Sequence, residues 1–155
     1  TLWSAAEKEA IGIYEIVHNN NNKRDEAFYT NTNVSYAFAD GVVTASYESA
    51  TAKSLTDVTD EDDNVTLGLK SQKKASIKQQ ASSLLTLNDW YVIKATEVES
   101  YSVPSAITTY RANVRTKSND MEVLIDACST VDELAALYVY TDGSRPLGEF
   151  PTLEV

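Results

Sequence analysis

Asp60, Asp62 and Asn64 alternate as the first oxygen ligands of an EF-hand calcium loop do, and they are the closest approach to a metal motif in the chain. The spacing then fails. Val65 stands at the sixth position, where the sharp turn requires Gly, and Ser71 at the twelfth, where a bidentate Glu belongs. Neither a metal nor a cofactor is expected, and the acidic run reads as a solvated linker. His18 is the only histidine, so acid–base or nucleophilic chemistry of the serine–histidine kind would have to use it. It opens an asparagine-rich loop with no serine or cysteine tied to it by a motif. Cys128 is the only cysteine, which excludes an intrachain disulfide, and its place in an apolar series predicts a buried small hydrophobe. The five glycines form neither GxGxxG nor GxxxxGK. No catalytic residue is assigned, and the chain does not read as an enzyme.

What remains is chemistry that grips other polypeptides. Arg111 and Arg115 are four apart in a predicted helix, so their guanidinium groups lie side by side and can clamp a carboxylate on another subunit. The alternative is that they solvate that helix or pair internally with Glu122, Asp126 or another acid. Tyr91, Tyr138 and Tyr140 bury ring area while keeping a polar tip, which suits a partner interface, and they complete the candidate contact set.

The elements that position these residues centre on Asn88 to Cys128. Trp90 and Ile93 are three apart, and Ile107, Tyr110, Val114, Met121, Ile125 and Cys128 recur at steps of three, four or seven. Pro104 disfavours helix in the residue before it, so one helix ends by Val103 and another begins with Pro104 in its first turn. The spacing predicts a helical hairpin whose core is Trp90, Ile93, Ile107, Tyr110, Val114, Ile125 and Cys128. A preceding helix, capped by Asn64 and running to about Leu85, buries Leu67, Ile77, Ala81, Leu84 and Leu85 and exposes Lys70, Lys73, Lys74 and Lys78. A capping box at Thr130 to Glu133 starts a short helix over Val131, Leu134 and Leu137.

The first third reads differently. Ser4 to Glu7 forms another capping box, with Leu2 or Trp3 as a hydrophobic staple, and Gly12 ends that helix. Ile13 to Val17, Ala27 to Thr30, Val34 to Phe38 and Val42 to Ser49 read as strands, the last two joined by a type I′ turn at Asp40-Gly41. Asn33 and Asn64 each head a glycosylation triplet, read as chance matches because the opening residues lack the basic start and apolar run of a signal peptide. The expected fold class is α+β: residues 1–53 form a small antiparallel sheet with a leading helix, 54–64 a linker, 65–137 a helical hairpin or bundle, and 138–155 a terminal hairpin or tail.

A net charge of −10 argues against nucleic-acid binding, which needs clustered Lys and Arg. Residues 1–63 carry twelve acids against four bases, and the remainder eleven against nine. An acidic inhibitor docking on a basic host protein is therefore the alternative function. No apolar run approaches the roughly 20 residues of a membrane span, so no membrane partner is expected and synthesis is placed in the host cytoplasm.

The landmarks IKQQASSLL, LNDWYVIKATE, VPSAITTYRANVR and STVDELAALY, together with the opening LWSAAEKEAIGIYEIV, resemble small tail-associated proteins of tailed bacteriophages, among them the tail fibre assembly proteins. The resemblance implies a non-enzymatic protein of the virion tail, either a structural component or an assembly factor. Its implied partners are other tail or fibre subunits, with a homo-oligomer also possible.

Overall fold

The structure is a computed structural model, and it describes residues 3–32 and 34–153. Leu2 of the expected staple and Asn33 of the first triplet lie outside them. The fold is α+β, and the chain divides into two units, residues 1–53 and 54–155, described separately below.

In the first unit the Ser4 hydroxyl accepts the Glu7 amide at 3.3 Å while the Glu7 carboxylate accepts the Ser4 amide at 2.8 Å. This box opens helix α1 (Ala5–Glu9), and Gly12, at φ 80°, turns the chain out of it. Strand β1 (Ile16–Asn19) follows, then β2 (Tyr29–Thr30), β3 (Val34–Ala39), β4 (Val42–Tyr47) and β5 (Thr51–Ala52). Asp40 and Gly41, at φ 51° and 76°, make the tight turn between β3 and β4. The three-stranded sheet has the order β1-β4-β3, and β2 pairs with β5 apart from it.

Two expectations for this unit are corrected. The first strand begins later, at Ile16, and takes in His18 and Asn19, which pair with Ala45 and Ser46. Their side chains are exposed, so an outer strand open to water accepts polar residues that a buried strand would not. The sheet is also mixed rather than antiparallel, because β1 runs parallel to β4. The long segment between β1 and β4 provides the crossover that parallel pairing requires.

The second unit begins with a hairpin. Strands β6 (Val58–Thr59) and β7 (Val65–Thr66) pair across the acidic run, and the Asp60 carboxylate accepts the amides of Asp62 and Asn64, each at 2.9 Å. The segment read as a linker is thus an ordered turn, with Asp63 in the left-handed region at φ 61°. Asp57, Asp60, Glu61, Asp62 and Asp63 all belong here, so the sheet unit carries only seven acids against four bases.

Helix α2 (Leu69–Thr86) starts after Gly68, not at Asn64. The Gly68 amide donates to Asp57 at 2.8 Å, and the chain of Thr56 passes so close that a Cβ on Gly68 would lie 2.2 Å from the Thr56 carbonyl carbon. Helix α3 (Asp89–Glu97) and helix α4 (Ser105–Ala127) follow, with Pro104 as the residue before α4 rather than inside it. Helix α5 (Val131–Ala136) is opened by the Thr130–Glu133 capping box.

The helical core differs from the expected hairpin. Helix α4 packs along α2, not α3, and buries Ile107, Tyr110, Val114, Met121, Ile125 and Cys128. Ile77 and Ala81 of α2, Val131 and Leu134 of α5, and Leu147 are buried as well. Phe150 and Leu153 are partly buried and pack on the cluster of Ala81, Tyr110 and Val114. Trp90 and Ile93 are 50% and 55% exposed, and α3 buries no residue. The expectation that they form core is corrected: α2, α5 and the C-terminal segment already fill the apolar face of α4. Leu67, also expected inside, is 49% exposed on the β7 side of Gly68.

Candidate functional site

Along the seam of α2 and α4, three of the lysines expected on the exposed side of α2 also reach groups on α4. Lys74 pairs with Asp126 at 2.7 Å, Lys78 with Glu122 at 3.2 Å, and Lys70 donates to the Asp126 carbonyl at 3.0 Å. The proximity of Asp126 raises the Lys74 pKa above its ordinary value. Where α2 gives way to α3, Arg111 reaches across from α4. Its Nη1 donates to the Leu85 carbonyl at 2.7 Å, and its Nη2 lies 2.7 Å from the Asp89 carboxylate. The side chain is buried, so the expected role of Arg111 as a partner contact is corrected: it ties the end of α2 and the start of α3 to α4.

Beside this tie lies an open groove of about 490 Å³, lined among others by Lys78, Asp89, Arg115, Ser118 and Glu122. Arg115 is exposed, and its Nη1 donates only weakly to the Arg111 carbonyl, at 3.3 Å. Among the described residues no carboxylate lies within ion-pair distance of it. The groove therefore offers one guanidinium beside hydroxyls and closed ion pairs. That arrangement can hold a carboxylate.

The three tyrosines are not gathered into one site. Tyr91 stands on α3 against Trp90, ring centroids 3.7 Å apart. Tyr138 is half-buried with Lys73 4.9 Å and Arg145 5.6 Å from its ring centre, and burial pushes its phenol pKa up. Tyr140 is exposed, donates its hydroxyl to Glu149, and lies under Arg145, which itself pairs with Glu149 at 2.8 Å. Cys128 is buried, and burial pushes its thiol pKa up. Among the described residues no group of His, Cys, Asp and Glu could hold a metal ion.

Two apolar surfaces stand out. Leu87, Trp90, Val92 and Ile93 are between 40% and 73% exposed at and beside α3. The signal was present in the sequence: Trp90-Tyr91-Val92-Ile93 are consecutive, and four consecutive apolar residues point around a helix rather than to one face. The second is one face of the β1-β4-β3 sheet, where Ile16, Val43 and Phe38 lie in one cross-strand row and Tyr36 follows two residues from Phe38. Tyr14 packs on Phe38 with ring centroids 4.5 Å apart, and Tyr36 and Phe38 remain 65% and 59% exposed.

No family model matches the chain, and comparison with curated proteins and with solved structures returns no match. Among the described residues no helix is long and apolar enough to cross a membrane.

Proposed function

We propose that this chain is a non-enzymatic bacteriophage tail-associated protein that works by binding other tail or tail-fibre subunits. The tail context is supported by the resemblance of the Asp89-Trp90-Tyr91, Pro104 and Tyr110-Arg111 landmarks. The binding role is supported by one structural observation: α3, the helix that carries the most apolar of these landmarks, buries none of its residues. Large apolar side chains grouped on an uncovered surface are where a partner docks. The location that follows is the virion tail, or the assembling tail in the host cytoplasm.

Mass spectrometry of purified particles tests this reading, alongside capture of tail subunits from infected cells on the immobilised chain. A virion component appears at fixed stoichiometry; an assembly factor is absent from particles but captures a tail or fibre subunit. Absence from particles together with no such capture defeats the proposal. The acidic turn between β6 and β7 supports a second reading, an inhibitor of a basic host protein. That reading predicts capture of a basic host factor lost between low and moderate salt, whereas docking through α3 resists salt.

A further inference from the structure

The β3 strand is a sheet edge of unusual composition. Its six residues, Val34 to Ala39, include no charge, no proline and no bulge, the devices that keep natural edges from pairing. The register tells which of its backbone groups are free. The Val43 amide donates to Glu15 on the β1 side, so Val42, Thr44 and Ser46 turn their backbone groups toward β3. Their partners Ala39, Ala37 and Ser35 are thereby satisfied, and the amides and carbonyls of Val34, Tyr36 and Phe38 point outward. Among the described residues nothing pairs with that outer edge, and Tyr36 and Phe38 are the most exposed large side chains of the sheet.

We propose that two copies of this chain join edge to edge through β3, antiparallel about Tyr36, to form one continuous sheet. In this register Tyr36 faces Tyr36 of the other copy and Val34 faces Phe38, so the outward groups of all three residues are paired. Large side chains then stay on one face, and Ser35 meets Ala37 on the other. Shifting by one residue would mix the faces; shifting by two would pair Tyr36 with Phe38 and leave Val34 unmatched. A second copy fits better than an unrelated strand because the edge is uncharged and its own pattern is self-complementary, which is what a two-fold contact demands. The strand edge and its rings offer on the order of 400 Å² per copy, about half of a standard interface, so the pair is weak. It forms in the range of tens to hundreds of µM.

Sedimentation of the full chain from about 1 to about 500 µM tests this. The wild type shifts toward a dimer at the upper end. Tyr36→Lys and Tyr36→Glu each raise the dissociation constant at least about tenfold, since each sets like charges face to face, while their equimolar mixture restores association. Restoration also shows that both variants are folded. Phe38→Pro, which removes an outward amide and no bond to β4, weakens association with an unchanged circular dichroism spectrum. A wild type that stays monomeric throughout, including one that binds a strand from another protein instead, overturns the proposal. So do single variants that dimerise as the wild type does, or a mixture of folded variants that fails to associate.

Discussion

Arg111 and Asp89 are joined across 2.7 Å, one buried in α4 and the other half-exposed in the first turn of α3. Because the same guanidinium also takes the Leu85 carbonyl, it satisfies a backbone acceptor at the end of α2 that water would otherwise have to reach. Arg111→Met keeps the stem and removes the donors, and it should cost about 2 kcal/mol in urea denaturation, discounted for the exposure of Asp89. Asp89→Asn, which retains an acceptor, should cost less than about 1 kcal/mol. Equal stability of Arg111→Met and the wild type would remove the tie from the account.

The core and α3 should respond oppositely to truncation. Ile125→Ala and Leu147→Ala remove side chains that are at most 1% exposed, and each should cost about 2 to 5 kcal/mol. Trp90→Ala and Ile93→Ala should each cost under about 1 kcal/mol, because their side chains already face water. A large loss of stability for either α3 variant would show that the helix is packed after all.

Gly68 tests a close approach rather than a backbone angle. Its φ of −75° is open to any residue, but a Cβ would meet the Thr56 main chain, which cannot rotate aside. Gly68→Ala should cost about 2 kcal/mol or more through displacement of the start of α2. Gly143→Ala has open space around it and pays only for its left-handed φ of 78°, about 1 to 2 kcal/mol. The order of the two melting temperatures decides the matter.

Acid should loosen the second unit through Asp57 and Asp60. The Gly68 amide and the Ser71 hydroxyl hold the Asp57 pKa below its ordinary value, and Asn64 does the same for Asp60. A depressed folded pKa means that the stabilisation is complete above the unfolded value, near pH 4, and disappears as pH falls through the lower folded one. Asp57→Asn should lower the melting temperature by a few degrees at pH 7 and flatten its fall below pH 4. An unchanged acid slope in that variant would assign the acid sensitivity elsewhere.

The local features were legible in the chain because they are decided by near neighbours. Both capping boxes, the Asp40-Gly41 turn and the 3.6-residue apolar series of α4 depend on residues a few positions apart, and each forms where spacing places it. Partner choice is not local. Nothing in the sequence of α4 says whether its apolar stripe meets α3 or α2, since both offer apolar residues at helical spacing, and the stripe can be covered only once. Close fit of α2, α5 and the returning Leu147, Phe150 and Leu153 left α3 outside, which moved Trp90 and Ile93 from core to surface and turned Arg111 inward. Likewise β1 took its parallel place beside β4 through backbone bonds that any side chain can make, so His18 and Asn19 joined a strand their polarity argued against.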